Sequence, residues 1–143
     1  MAKSFSAQVG DWVQKSERRM EAVFKESTQR VIEEAQKTRK EGGRMRVDTG
    51  FLRASLMAST AAMPLLRAGA RPAPNTPDNS VLYESDQVAL VIAGAGVGDT
   101  IYAGYTAEYA AARESKDAFV TSAALKWQQI VNQVVAETRG RVR

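Results

Sequence analysis

The chain has 143 residues and a net charge of +4, and it contains neither cysteine nor histidine. That length suits one domain with a hydrophobic core of its own. Without cysteine or histidine there is no thiol nucleophile, no thiolate or imidazole metal ligand and no imidazole base, so hydrolases built on a Ser–His or Cys–His pair are excluded.

The first residues, Met1 to Ser6, lack the apolar stretch that a secretory leader needs. No apolar run approaches the ~20 residues of a membrane span. The expectation is a protein that stays in the cytoplasm where it is made, or enters a particle assembled there. Positive charge is concentrated early: residues 1–56 carry 12 basic and 8 acidic side chains, and residues 57–143 carry 8 of each. The densest cluster is Lys37, Arg39, Lys40, Arg44 and Arg46, interrupted only by Glu41, and Arg139, Arg141 and Arg143 form a second. Such clusters can contact nucleic acid or acidic proteins. Solvated helix ends account for them as well and more simply, because cations suit helix C-termini.

Residues 5–40 read as one long amphipathic helix. Phe5, Val9, Trp12, Val13, Met20, Val23, Phe24, Val31, Ile32 and Ala35 recur at steps of three and four. Gly42-Gly43 is expected to stop it, with Lys37, Arg39 and Lys40 in its last turn. Some 30 helical residues span about 45 Å, more than the diameter of a domain this size, so part of the helix should project or pack on another subunit. Residues 48–56 predict a short helical turn capped by Asp48 or Thr49, with Phe51, Leu52 and Leu56 facing the core. Ser55 to Leu66 suits a strand ending near Pro64. Residues 67–80 hold three of the four prolines and read as a loop, most simply the long tip of a β-hairpin reaching towards a neighbour. Val81 to Ala95 reads as strand, Gly94 to Asp99 as a hairpin turn, and Ile101 to Tyr105 as a further strand. Ser115 is the expected N-cap of a final helix over residues 115–139, ended by Gly140, with an apolar stripe from Phe119 to Val135. Helix, strands and helix in that order, without βαβ alternation, predict a single α+β domain.

Three motifs suggest chemistry. Asp48-Thr49-Gly50 matches the triplet of aspartic proteases, where two aspartates share one proton. One copy would have to dimerise, and the triplet lies beside a basic helix instead of in an all-β loop, so a helix cap explains it better. Gly94-Ala95-Gly96-Val97-Gly98 departs from the dinucleotide spacing, and no Lys-Ser or Lys-Thr follows it. The carboxylate pairs Glu33-Glu34, Glu84/Asp86 and Glu108/Glu114 have no metal-ligand company. Trp12 and Trp127 fall on apolar helix faces, where packing in a core or interface is the natural role. No catalytic residue, metal site or cofactor is therefore assigned.

Two stretches carry a family resemblance. Val47 to Leu56, reading V-D-T-G-F-L-R-A-S-L, resembles the D-T-G-x-L-R-x-S signature of the neck and tail-completion proteins of tailed bacteriophages, which include the minor tail protein Z type. Ile101 to Tyr109 is similar to that family's Y-A-x-Y-x-E-aromatic stretch, and Asp117 to Ala123 to the start of its final helix. Ala110 stands where the family has glycine, and Asp117-Ala118 where it has proline before Phe119. The resemblance implies a non-enzymatic virion subunit, assembled in the bacterial host cytoplasm, that joins a sixfold or twelvefold ring of its own copies at the head–tail junction. Its neighbours would be the head connector or head-closure protein and the tail terminator or tail tube protein. Asp48, Thr49, Gly50, Leu52, Arg53, Ser55, Tyr102, Tyr105, Glu108, Tyr109 and Phe119 are then motif positions, with Arg53 expected to bridge to Glu108. Lys37, Arg39, Lys40, Arg44, Arg46 and Arg71 are candidates for an interface or for non-specific contact with passing DNA. The rival reading is a small basic nucleic-acid-binding protein using the cluster at 37–46, although that cluster lacks the interleaved aromatic residues of single-strand binders.

Overall fold

A computed structural model describes residues 4–141. Met1 to Lys3, Val142 and Arg143 lie outside it, and with them the leader region and the last of the terminal arginines. The architecture is α+β, with a long N-terminal helix, a two-stranded antiparallel sheet and a helical C-terminal region. Helix α1 spans Phe5–Gln36 and is capped by the Ser4 hydroxyl, which accepts the Ala7 amide. Its 32 residues extend for about 48 Å. The chain leaves it four residues earlier than the periodicity predicts. Thr38 starts a 3-10 turn over Arg39–Glu41 and forms a capping box with Glu41, so the Gly42-Gly43 pair ends this turn and not α1. Consequently the basic residues of 37–40 do not lie in the last turn of α1.

Helix α2 is the single turn Phe51–Ala54, and strand β1 follows at Leu56–Ser59. The predicted strand to Leu66 stops early because the Ser59 hydroxyl accepts the amides of Ala61 and Ala62 and turns the chain. Residues 60–85 contain no helix or strand. Helix α3 then spans Asp86–Gly94, where a strand was expected. Val88 and Ile92, four residues apart, are buried while Ala89 and Leu90 between them are exposed, which is the helical and not the extended period. A short apolar run does not distinguish the two by itself.

Strand β2, Tyr102–Tyr105, pairs antiparallel with β1 in the register Leu56↔Tyr105 to Ser59↔Tyr102. Because α3 lies between the strands, they are not a hairpin, and Gly96 to Asp99 is the turn from α3 towards β2. The outer edge of β1 is closed by a side chain: the Gln87 amide accepts from Ala58 N–H and donates to Ala58 C=O.

The expected single C-terminal helix is three, α4 over Ala110–Asp117, α5 over Phe119–Leu125 and α6 over Trp127–Arg141. Ala118 adopts the left-handed conformation (φ 54°) and breaks the run. Ser115 is inside α4, and the capping is done instead by Glu114, whose carboxylate accepts the amides of Val120 and Thr121. Gly140 does not end α6. Helix α6 lies along α1, with Arg30 bound to Glu137 and Lys126 to Glu34, while α5 meets the sheet through Phe119, packed edge-on against Tyr105 at 5.1 Å. Ile32, Met45, Leu52, Leu56, Val88, Ile92, Tyr105 and Phe119 make the core.

Gly50 is fixed by geometry twice over. Its φ is +93°, and a Cβ there would stand 2.2 Å from the Val81 carbonyl oxygen. Gly50→Ala should therefore cost about 3 kcal/mol, since the left-handed strain adds to a backbone clash, and urea unfolding will measure it.

Candidate functional site

The two motif stretches, far apart in the chain, lie side by side. The Ser55 carbonyl accepts both the backbone amide and the hydroxyl of Thr106, and the adjoining residues are the paired strands. The Asp-Thr-Gly turn is the centre of the arrangement. The N-cap position is Gly50, with no side-chain cap, so neither Asp48 nor Thr49 is the N-cap; the Thr49 hydroxyl does accept the Phe51 amide two residues on, while the Asp48 side chain is exposed. The carbonyls of Asp48 and Thr49 accept the amides of Asn79 and Val81. At the other end of the loop, Arg67 N–H donates to Thr106 and Glu108 N–H to Ala70. Residues 67–80 are thus strapped across their own subunit at both ends, and do not form a hairpin tip reaching outward.

Arg53 does not bridge to Glu108. Its Nε donates to the Gln36 carbonyl at 3.0 Å, the Gln36 amide donates back to the Arg53 carbonyl, and the guanidinium lies over the Tyr83 ring. Glu108 instead accepts from Gly69 N–H and pairs with Arg71 at 2.7 Å. Gln36, which no sequence pattern marks, also accepts the buried Tyr105 hydroxyl at 2.6 Å. Burial holds that hydroxyl well above the usual phenol range. Leu52 is buried, the Ser55 hydroxyl donates to the Leu52 carbonyl, Tyr109 packs obliquely on Phe51, and Tyr102 is half-buried opposite Ser59. Every motif position except the Asp48 side chain has a contact that holds the fold.

The basic cluster is gathered by one carboxylate. The Asp117 side chain, 1% exposed, meets Arg39 at 3.3 Å, Arg46 at 3.1 Å and Arg113 at 2.9 Å. Asp117 is the last residue of α4, where the helix dipole disfavours an anion. A buried carboxylate in that place requires cations around it, and the three guanidinium groups supply them. The sequence places Asp117 in the first turn of a helix; the break at Ala118 puts it at the end of one. Lys37 pairs with Glu34, while Lys40 and Arg44 are exposed on the surface.

Two clefts flank the segment Arg46 to Arg53. One, of about 460 Å³, is lined by Arg46, Asp48, Arg53, Tyr109 and Arg113 among others. It holds one carboxylate and three arginines, with no second carboxylate to share a proton. The other, of about 500 Å³, is lined by Arg39, Lys40, Arg46, Arg53 and Tyr83 over an apolar floor, with no acidic residue in its lining. The first cleft thus sets one carboxylate among three arginines, and the lining of the second carries cations without an acid. Among the described residues no group of three or more acidic, His or Cys side chains could hold a metal, and no helix is long and apolar enough to cross a membrane. No family model matches the chain, and no curated protein or solved structure matches it either.

Asp117→Ala should cost about 3 kcal/mol, because it strands three clustered cations. Arg46→Ala should cost under about 1 kcal/mol, since two partners remain; chemical denaturation will compare them. Glu114 responds to acid. Burial pushes its carboxyl up, but the Thr121 hydroxyl and the amides of Val120 and Thr121 outweigh this and hold it below the usual range. Glu34 is held low as well, chiefly by the Lys126 hydrogen bond. A depressed carboxyl stabilises the fold above its unfolded pKa and loses that contribution as pH falls through the folded one. Melting temperature should therefore drop below about pH 4.5, and the drop should be smaller in Glu114→Gln.

Proposed function

We propose that this protein is a structural subunit of the neck or tail-completion region of a tailed bacteriophage, acting by assembly and not by catalysis. The observation that carries the reading is the projection of α1. Its N-terminal half stands away from the core with Phe5 81% and Trp12 68% exposed, and a soluble subunit needs a partner to cover such side chains. The motif residues support the same reading. They are occupied in fixing the Asp-Thr-Gly turn, the strapped loop and the sheet, as befits a rigid subunit set among neighbours. On this reading the protein joins a ring of its own copies, sixfold or twelvefold, between the head connector or closure protein and the tail terminator or tube, and resides in the virion.

The acid-free cleft formed by Arg39, Lys40, Arg46 and Arg53 favours a second, compatible role in non-specific contact with DNA. As the whole function, this is the weaker reading, because Arg39 and Arg46 already serve Asp117.

Deleting the gene from the producing phage and imaging the lysate by negative-stain microscopy tests the main reading. The expected outcome is a large excess of filled heads and finished tails that remain unjoined. A normal proportion of joined particles would overturn it.

A further inference from the structure

The sheet has two edges, and the fold treats them differently. Midway along the ladder, Ala58 of β1 stands opposite Ala103 of β2. Thr106 N–H binds the Ser55 carbonyl, so hydrogen-bonded pairs recur at every second residue from there. The backbone groups of Ala58 and Ala103 fall between those pairs, and each points away from the facing strand. On the β1 side, the Gln87 side chain meets Ala58 as a third strand would. It donates to the Ala58 C=O at 2.6 Å and accepts the Ala58 N–H at 2.9 Å, and α3 packs along the same strand. On the β2 side, none of the described residues bonds the Ala103 N–H or C=O, and no described helix is laid along the strand as α3 is along β1. An edge whose amides and carbonyls are unmet is a template for another extended chain.

The ground beside this edge is apolar. A cavity of about 160 Å³ lies against Ala103 and Tyr105 between α1 and α5, lined by Val31, Ala35, Val120 and Ala124 among others. A second, of about 400 Å³, lies against Ala103 and Ile101 and is bounded by Phe24, Thr28 and Trp127. Val31, Ile32 and Ala103 line both, so the two make one groove along β2. From Phe24 to Ala35 it runs about 16 Å, the length of some five extended residues. The one charged side chain among the described lining residues, Asp99, accepts the Gly96 amide, and the Thr28 hydroxyl donates to the Phe24 carbonyl. Val120 and Trp127, on the α5 and α6 side, are exposed.

We propose that the open edge of β2 docks an extended, uncharged segment of a different protein, which adds to the sheet as a third strand. The backbone of that segment pairs with the Ala103 N–H and C=O, and its alternate apolar side chains enter the two cavities. A small aliphatic side chain suits the cavity beside Tyr105, and a larger one the cavity beside Trp127. The added strand also makes three from two, and a two-stranded sheet alone is marginal. The irregular stretch of this chain is a poor occupant. Residues 60–80 hold all four prolines, which cannot donate to a ladder, and they are already bonded to Asp48 and Thr106. This docking mode does not depend on the phage reading, which the lysate judges separately.

The probes are four peptides of the pattern Thr-x-Thr-x-Thr, with Ala, Val, Leu or Phe at x, titrated into the isotope-labelled full-length protein and followed by amide NMR. At least one should bind saturably, with the largest shifts at Ala103 and Tyr105 and slowed exchange of the Ala103 N–H. Methylating the peptide nitrogens along one side of the strand should abolish binding, and along the other side should leave it. Ala103→Pro removes the outward N–H and spares the ladder to β1, so binding should weaken roughly tenfold. Val120→Asp sets a charge at the smaller cavity from an exposed position and should weaken binding as much, with the fold intact. No saturable shift with any peptide, equal tolerance of methylation on both sides, or full binding by Val120→Asp would each overturn the proposal. So would full binding by a folded Ala103→Pro. Shifts at Ala103 that grow with protein concentration alone would assign the edge to a second copy and overturn it as well.

Discussion

The buried amide of Gln36 is the point on which the arrangement of elements depends. It is the last residue of α1, and its side chain donates to the Arg53 carbonyl of α2 and accepts the Tyr105 hydroxyl of β2. Its own carbonyl takes the Arg53 guanidinium. One residue thereby ties the long helix to both motif stretches. Inside a protein such hydrogen bonds are strong because water does not compete, and an unmet partner is costly for the same reason. Tyr105 then presents its ring to Phe119 at 86°, so the same point also meets the first residue of α5.

Electrostatics organises the opposite side of the motif segment. The sequence reading of Lys37 to Arg46 as solvated cations at a helix end, or else as a contact for an acidic partner, misses the anion within the subunit: Arg39 and Arg46 meet Asp117. Three arginines around one carboxylate leave the region positive while fixing where two of its side chains point. The clefts beside Arg46 and Arg53 are therefore basic and ordered.

The legibility of the sequence varied with the physical character of each segment. The helix at Phe5 was plain because its polar and apolar residues separate cleanly over many turns. The loop at 67–80 was plain because its prolines forbid a ladder. Val88 to Ala93 misled because a run that is apolar throughout carries no period, and β-branched residues favoured strand. The end of α1 and the break at Ala118 were hidden because they answer to partners outside the local pattern, Met45 through its bridge with Thr38 and Glu114 through its cap on α5. Ala118 at φ 54° also shows why the proline of the resembling motif has no place here, since proline holds φ near −65°.

By itself the sequence determined the α+β class, the long amphipathic helix, the loop and the restriction on chemistry that follows from lacking histidine and cysteine. These are properties of local pattern and of composition, which need no knowledge of the rest of the chain. Only the tertiary structure decided that Arg53 serves Gln36 and not Glu108, that Glu108 serves Arg71, and that Asp117 gathers three arginines. It also decided that the loop lies across its own subunit while the first half of α1 stands clear of the core. The reason is that side-chain partners separated by tens of residues are chosen by packing, and packing is settled only when the elements have met.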